Sequence, residues 1–432
     1  MSWDFSTPPE YQAKLDWAAE FVRTKVEPLD LVYPHLHYTP PSPEIRRVID
    51  PLKAEVRAHG LWAAHLTPEL GGGGRGQLEL GLLNEILGRS LWAPVIFGTQ
   101  APDTGNAEIL AHYGTAEQKD KYLQPLLNGE IFSCYSMTEP QGGSDPGVFI
   151  TAATRDGDDW ILDGYKFFSS NATTASLYIV LAVTAPDQPL KNRMSMFLVP
   201  ADTPGVVLER RSGTAAEPPD EGTHPLVHYD HVRLPADSLL GEAGSGFLVA
   251  QTRLGGGRVH HAMRTVGLCN RAFDMMCERA ISRSTKGSLL AEKGAVQTMI
   301  ADSWAQITQF RLMVLYTAWL IDQRSTAGTR KEIAAIKITA PTVLHDVVMR
   351  AIQIHGALGI SNELPLWEWL QQVFVVGFSD GPAEIHRITM ARQILAEYAP
   401  AEGLWPSEHL PARRAEAAAA VAAMLADALA ET

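Results

Sequence analysis

The spacing of apolar residues changes character twice along the chain, and this limits the folds open to it. Before residue 132, the segments 11–26, 42–59, 77–90 and 116–127 place apolar residues three or four apart, as amphipathic helices do. From Phe132 to about Gly241, short runs of β-branched and aromatic residues alternate with Asp-Gly turns, which is typical of antiparallel strands. Helical spacing then returns and continues to the end of the chain.

This order predicts an α+β fold with separate helical and sheet domains. The predicted parts are an N-terminal α-helical domain (1–131), a central antiparallel β domain (132–241), a C-terminal four-helix bundle (242–400) and a C-terminal helical extension (401–432). The extension is rich in alanine and is expected to pack on a partner subunit or to lie exposed.

Composition excludes several classes of protein. The 432 residues are 46% hydrophobic and 20% charged, as in soluble globular proteins. No apolar run approaches the roughly 20 residues of a membrane span, and the N-terminus lacks a secretion signal, so we expect a cytoplasmic protein. A net charge of -13 argues against a nucleic-acid partner. The three cysteines, Cys134, Cys269 and Cys277, lie in apolar segments without metal-ligand spacing, so no metal site is predicted.

Two short motifs carry the chemical signal. The run TEPQGGSD, residues 138–145, follows an apolar segment and combines a proline turn with two glycines, which let backbone N–H groups approach a phosphate or a ring edge. Taken alone, the run is better interpreted as an ordinary proline-glycine turn. The run FSDGPAEIHRITMARQIL, residues 378–395, is predicted to be a loop that enters a helix, with Asp380 directly before a glycine.

Together the two motifs resemble the acyl-CoA dehydrogenase superfamily over residues 10–398. Its members carry a TEPxxGSD-like turn in the central domain and a carboxylate-Gly-x-x-x-I-x-R segment near the C-terminus. The segments QAPDTGN (100–106) and GRVHHAMRTVG (257–267) are similar to the branch that has Asp in place of the catalytic Glu and is often fused to a kinase-like domain in animals. The resemblance implies the same order of helices, β domain and helix bundle.

The resemblance also implies a bound FAD. Seven central-domain residues would contact it: Tyr135, Met137 and Thr138 beside the flavin ring, Gly143 and Ser144 at the pyrophosphate, Phe168 in place of an aromatic residue that is most often Trp, and Ser170 as a hydroxyl donor near N5. Without the resemblance, residues 166–171 would be interpreted as a buried strand.

A second set of residues would reach the FAD of a neighbouring subunit. It comprises Arg283 and Thr285 at the diphosphate, and Gln353, Gly356 and Ala357 at the adenosine half. A homodimer or homotetramer is therefore implied. Read without the resemblance, Arg283 would be a solvated charge on a helix.

The resemblance places the catalytic base at Asp380. Relatives keep this carboxylate either here or just before an arginine that lies near CoA, and that arginine is Arg258, preceded by three glycines, 255–257. Asp380 is thus the predicted base, Arg258 and Gly381 are the predicted substrate contacts, and Glu384 is a backup candidate. An aspartate at this place is also a good helix N-cap, and both roles could coexist.

Two further hypotheses concern the substrate pocket. The three glycines would remove side chains from one wall and make room for a substituted acyl chain. Of the adjacent pair His260 and His261, one would line the cavity and bind a hydroxyl or phosphate group, or both would be ordinary bundle residues. Adjacent helical residues point about 100° apart, so the pair does not indicate a metal site.

The expected reaction is FAD-dependent α,β-dehydrogenation of an acyl-CoA, with electrons passed to an electron-transfer flavoprotein. Asp380 would abstract the Cα proton while the flavin N5 accepts the Cβ hydride. The alternative is elimination from a 4-hydroxyacyl-CoA that a separate kinase has phosphorylated. A flavin monooxygenase, or a CoA-binding protein without chemistry, is a third interpretation, which a carboxylate at the base position disfavours.

Overall fold

The computed structural model describes residues 5–34, 42–214, 217 and 222–430. The N-terminal region contains the helices Pro9–Phe21 (α1), Glu27–Val32 (α2), Pro43–Ala58 (α3), Gln77–Leu87 (α4), Ala93–Ile96 (α5), Asp103–Tyr113 (α6), Ala116–Gln118 (α7) and Gln124–Asn128 (α8). The π-helical turns Val22–Val26 and Lys119–Leu123 join α1 to α2 and α7 to α8. The four helical segments predicted from the sequence are confirmed, whereas α6 was not predicted.

Local sequence explains where these helices begin. Ser42 precedes α3, and its hydroxyl oxygen accepts a hydrogen bond from the Ile45 N–H. The N-terminus of α4 is capped from a distant part of the chain, because the Asp322 carboxylate accepts from the N–H groups of Gln77 and Leu78 at 2.7 and 3.0 Å. This contact ties the N-terminal region to the helices that follow the sheet.

The middle of the chain forms a twisted sheet. Its strands are Ser133–Ser136 (β1), Ala152–Asp156 (β2), Asp159–Lys166 (β3), Leu177–Val183 (β4), Met194–Pro200 (β5), Val206–Arg210 (β6), Leu226–Leu234 (β7) and Leu239–Leu240 (β8), with the short helix Leu190–Arg193 (α9) before β5. Within the described residues the order is β6-β7-β3-β2-β4-β5-β8, and β1 pairs with β4.

The sheet is mixed rather than wholly antiparallel. The pairs β1–β4 and β2–β4 run parallel, and the remaining pairs are antiparallel as predicted. Long connections make this possible, since β1 ends at Ser136 and β4 begins only at Leu177. The strand β1 therefore enters the sheet directly from the N-terminal helices, with all of its residues buried.

The C-terminal region consists of long helices. They are Gly246–Ser282 (α10), Gly294–Arg324 (α11), Arg330–His355 (α12), Leu366–Phe378 (α13), Ala383–Leu395 (α14) and Leu410–Ala430 (α15), and the hairpin strands Ser284–Thr285 (β9) and Ser288–Leu289 (β10) follow α10. A shared apolar core joins α10, α11, α12 and α13, and α4 packs onto it through Leu80. In the bundle, α13 and α14 both pack on α12, where one fourth helix was expected.

Residues 410–430 of the predicted extension form α15, and every residue of this helix is exposed. No helix in the described ranges has the length and apolar content needed to cross a membrane.

Candidate active site

Asp380 lies in the short break between α13 and α14. Its backbone φ is +55° and that of Gly381 is +104°, so two consecutive residues adopt the left-handed region that reverses the chain here. The Asp380 carbonyl oxygen accepts a hydrogen bond from Arg258 Nε at 2.8 Å and lies 3.4 Å from His386 Nε2. These contacts from α10 and α14 hold the break in place.

The Asp380 carboxylate points toward α10 rather than along α14. Its side chain is 13% exposed, and Oδ1 lies 3.4 Å from Arg253 Nη1 while Oδ2 lies 3.6 Å from His261 Nε2. The residue before α14 is Pro382, and no side chain caps the helix. The N-cap interpretation of Asp380 is therefore wrong.

Three cations control the charge of Asp380. Burial raises the pKa of this carboxyl group, but the positive charges of Arg253, Arg258 and Lys337, together with His261, hold the pKa below its usual value. Burial lowers the pKa of Lys337 to about 8, so its ammonium group stays mostly charged at neutral pH. Burial lowers the pKa of His261 to about 4, so this imidazole is neutral there.

The glycine triplet of α10 makes room for the protein's own side chains. A Cβ atom at Gly257 would lie 2.6 Å from Asp380 Oδ2, and one at Gly256 would lie 2.5 Å from Glu108 Oε2. A Cβ atom at Gly255 would lie 2.6 Å from Thr326 Cγ2. The hypothesis that the triplet opens space for a substituted acyl chain is therefore wrong, because these carboxylates and a methyl group already fill that space.

Arg253, which had no role in the sequence analysis, connects the Asp380 region to the sheet. Its guanidinium carbon lies 3.9 Å from the centre of the Tyr135 ring, and its Nε donates to Asn106 Oδ1 at 2.9 Å. Spacing could have revealed its position, since Arg253, Gly257 and His261 are four residues apart and share one face of α10. This one side chain links Asp380 to Tyr135 on β1, the strand that leads into the TEPQGGSD run.

The TEPQGGSD turn is held by a buried ion pair. Lys166 Nζ lies 2.8 Å from Glu139 Oε1, and the two side chains are 0% and 1% exposed. The same ammonium group donates to the Met137 carbonyl, and Glu139 also accepts from the N–H groups of Ile150 and Thr151. Glu139, which carried no assigned role, thus fixes the turn and the end of β1.

The predicted flavin contacts form a partly exposed surface beside this turn. Tyr135 and Met137 are buried, Thr138 and Ser170 are half-buried, and Gly143, Ser144 and Phe168 are exposed. Phe168 is 52% exposed with a backbone φ of +51°, and its ring lies 4.2 Å from that of Phe167. The Phe167 N–H donates to the Thr138 carbonyl, so this aromatic pair is tied to the turn.

Two predicted contacts have other partners in the chain. The Ser170 hydroxyl lies 2.8 Å from His224 Nδ1, so a ligand near Ser170 would share this hydroxyl with the imidazole. A Cβ atom at Gly143 would lie 3.0 Å from Thr138 Cγ2, so glycine allows the turn to close over Thr138. These residues offer an exposed aromatic ring, a glycine turn and hydroxyl groups, which are the kinds of groups that fit FAD chemically.

The residues predicted to reach a neighbouring subunit are all at the surface. Arg283 and Thr285 lie at the start of the β9–β10 hairpin, and Gln353, Gly356 and Ala357 lie at the end of α12 and just beyond it; all five are exposed. Their exposure leaves all five residues accessible to a second copy of the chain.

Comparison with known proteins gives a consistent result over the chain. Three family models match: acyl-CoA dehydrogenase N-terminal domain at residues 8–130, middle domain at 134–225 and C-terminal domain at 244–395. FadE2 of Mycobacterium tuberculosis, a candidate acyl-CoA dehydrogenase, is 40% identical over 402 residues, which cover 91% of this chain and 93% of FadE2. Acyl-CoA dehydrogenase family member 10 of Mus musculus is 37% identical over 90% of this chain but only 37% of its own length.

Solved structures agree. A candidate acyl-CoA dehydrogenase from Mycobacterium abscessus has a TM-score of 0.84 and 39% identity, covering 91% of this chain and all of the other. A glutaryl-CoA dehydrogenase from Mycobacterium smegmatis, solved in complex with FADH2, shares the fold with a TM-score of 0.77 and 21% identity, over 91% of this chain and 96% of the other.

Proposed function

The chain belongs to the acyl-CoA dehydrogenase family, and we propose that it catalyses FAD-dependent α,β-dehydrogenation of an acyl-CoA thioester with Asp380 as the base. The observation that supports this role most directly is the direction of the Asp380 side chain. A nearly buried carboxylate is turned toward α10, into the space that Gly257 leaves, and away from the helix that follows it. Glu384, the backup candidate, is 71% exposed and pairs with Arg387 instead.

We infer that FAD lies along the surface formed by Thr138, Gly143, Ser144, Phe168 and Ser170, with Tyr135 and Met137 beneath it. When bound, FAD supplies the acceptor for the hydride that leaves Cβ. The chain itself supplies the base and a donor for the thioester carbonyl. Within the described residues, no group accepts a hydrogen bond from the Gly381 N–H, so this amide is available to polarise that carbonyl.

Asp380 would take the Cα proton after substrate excludes water from the site. A carboxylate with a low pKa is a weak base, so the bound state has to raise the pKa. Substrate desolvates Asp380 further, and any anionic group on the acyl chain would offset the charges of Arg253, Arg258 and Lys337. Both effects move the pKa of Asp380 toward the working pH.

The surplus of positive charge favours a second candidate function. Arg253, Arg258 and Lys337 surround one carboxylate. Two further carboxyl groups face Arg253. Glu108 stays protonated near neutral pH because burial raises its pKa to about 8, whereas burial raises the pKa of Asp103 only to about 6, so Asp103 offsets one of the three positive charges there. An acyl chain that carries an anionic group would balance this charge. Elimination of phosphate from a phosphorylated 4-hydroxyacyl-CoA is the reaction of that kind that the resemblance suggests.

Anaerobic mixing with saturated acyl-CoA thioesters tests the proposal. We expect the flavin absorbance of the unmodified protein to bleach, and Asp380→Asn to slow bleaching by about 10²–10⁴-fold, the usual contribution of a general base. Asp380→Glu should keep part of the rate, and Glu384→Gln, the matched control, should keep all of it. Bleaching by Asp380→Asn at the unmodified rate would contradict the assignment of the base.

Anaerobic mixing with each of the two substrates, a saturated acyl-CoA and a phosphorylated 4-hydroxyacyl-CoA, separates the two candidate reactions. Dehydrogenation leaves the flavin reduced, whereas elimination from a phosphorylated 4-hydroxyacyl-CoA releases inorganic phosphate and leaves the flavin oxidised. The assembly as a homodimer or homotetramer, transfer of electrons to an electron-transfer flavoprotein and location in the cytoplasm stay predictions. Light scattering by the purified protein would test the first of these.

A further inference from the structure

The segment QAPDTGN, residues 100–106, has no part in the proposed reaction, yet the structure buries it beside the base. It leads into α6 and supplies the first turn of that helix, where Asp103 is 6% and Asn106 0% exposed. Buried polar side chains are found where hydrogen-bond partners satisfy them. The partners of Asp103 and Asn106 lie in distant parts of the chain.

The first contact fixes Ser133, the opening residue of β1. Asp103 Oδ1 accepts hydrogen bonds from the Ser133 N–H at 2.8 Å and from its hydroxyl at 2.5 Å. Asp103 Oδ2 accepts from Gln100 Nε2 at 2.9 Å. Because the Ser133 hydroxyl donates to a carboxylate, its oxygen is left as an acceptor for another group.

The second contact orients the side-chain amide of Asn106. Its Nδ2 donates to the Ser133 hydroxyl oxygen at 2.8 Å. This leaves Asn106 Oδ1 as the acceptor, and Arg253 Nε donates to it at 2.9 Å. Every hydrogen bond from Arg253 to Asp103 therefore runs in the same donor-to-acceptor direction and ends on a carboxylate, the arrangement in which buried polar groups strengthen one another.

Gly105 supplies the space for Arg253. A Cβ atom at this position would lie 2.9 Å from Arg253 Cγ. The guanidinium group then rests on the Tyr135 ring, with Nη1 3.4 Å from Asp380 Oδ1. A free arginine side chain has many rotamers. Contacts with Tyr135, Asn106 and the backbone at Gly105 restrict the Arg253 side chain to a rotamer that points toward the Asp380 carboxylate.

We propose that Asp103, Gly105 and Asn106 are positioning residues that hold Arg253 against Asp380, and thereby set the orientation and protonation of the base from the N-terminal region. This rests on the proposed function of Asp380. The other titratable groups that face Asp380 are Arg258 and His261 on α10, Lys337 on α12, His386 on α14 and Tyr135 on β1, and both Glu108 and Asp103 face Arg253. Variants at 105 and 106 leave all of these side chains unchanged, whereas Asp103→Asn also removes the charge of Asp103.

Asn106→Leu removes the acceptor for Arg253 without a large change in volume, and Gly105→Ala displaces Arg253 by a separate route. Gly294→Ala is the matched control, since a Cβ atom there has open space. The protonation of Asp380 is read without turnover from isotope-edited infrared spectra of protein labelled at the aspartate carboxyl carbon, with Asp380→Asn to assign the band. The acid limb of flavin bleaching against pH gives a second readout.

We expect Asn106→Leu and Gly105→Ala each to raise the pKa of Asp380 by about 1 unit, because an arginine in contact lowers a carboxyl pKa by about 1–3 units. The acid limb should move to higher pH by the same amount. The kcat should fall because the carboxylate is no longer held in its orientation by Arg253, with the KM for acyl-CoA little changed. Gly294→Ala should change neither the pKa of Asp380 nor the kinetic constants. If Asn106→Leu does not fold, Gly105→Ala and Asp103→Asn carry the test.

An Asp380 band that titrates as in the unmodified protein in folded Asn106→Leu or Gly105→Ala would overturn the positioning role. This outcome is distinct from failure of the proposed function. If Asp380→Asn still bleaches flavin, Asp380 is not the base, and the infrared titration still shows whether residues 103–106 control it.

Discussion

At the scale of single residues, the turn that carries the predicted flavin contacts depends on the buried pair Lys166 and Glu139. Removing one partner of a buried pair leaves an uncompensated charge, so Lys166→Met should lower the free energy of unfolding by about 3–5 kcal/mol. Lys25→Met is the matched control, because Lys25 pairs with Glu55 at 2.7 Å with the two side chains 48% and 40% exposed. An exposed pair contributes about 0–1 kcal/mol. Urea unfolding measures both.

A double variant tests whether the pair itself is responsible. Lys166→Met with Glu139→Leu should lose less than the sum of the single variants, since the second change removes the unpaired carboxylate. It should not recover fully, because the N–H groups of Ile150 and Thr151 lose their acceptor. Equal losses for Lys166→Met and Lys25→Met would contradict this account of the turn.

The residue scale also shows where sequence reasoning stops. The sequence motif singled out Asp380 as the candidate base. In the structure its carboxylate is nearly buried and faces Arg253. Arg253 was missed because its contacts come from residues 118 to 147 positions earlier and 127 positions later in the chain. Hydrogen-bond partners so far apart leave no local pattern. Glu139 was passed over for the same reason, as its partner Lys166 lies two strands further on.

At the scale of elements, the decisive feature is the approach of α10 to the α13–α14 break. Gly257→Ala would place a methyl group 2.6 Å from Asp380 Oδ2, so the carboxylate has to move away from the helix. We expect flavin bleaching by acyl-CoA to slow by at least about tenfold, since small misplacements of catalytic groups cost up to about 10²-fold. The free energy of unfolding should fall by about 1–3 kcal/mol, the usual cost of overpacking.

Gly294→Ala again serves as the control for this change. A Gly257→Ala protein that is folded and bleaches at the unmodified rate would show that the close approach of α10 has no catalytic role.

Elements were predicted well where packing follows the local pattern. The apolar run 177–183, one of the short runs typical of strands, coincides with β4, and the predicted helix 42–59 lies within about one residue of α3. The helix α6 was not predicted because its buried polar residues suit turns, and contacts to β1 and α10 override that preference. The parallel pairing of β1 with β4 was not predicted either, since strand direction depends on a distant partner.

At the scale of the whole molecule, the site exists only because separate regions meet. The N-terminal helices supply Asn106, the sheet supplies Tyr135, and the helical bundle supplies Arg253 and Asp380. The order of these regions was predictable from periodicity, and the family membership agrees with it. The contact between these regions at the site could not be predicted, because no local sequence pattern gives the distance between residues 106 and 380.

The central claim is that Asp380 removes the Cα proton, and exchange of that proton tests it most directly. A saturated acyl-CoA is incubated with the FAD-loaded protein in D₂O without an electron acceptor, and loss of the Cα–H signal is followed by NMR. We predict exchange in the unmodified protein and in Glu384→Gln, and a fall of about 10²–10⁴-fold in Asp380→Asn. Undiminished exchange in a folded Asp380→Asn protein would contradict the account.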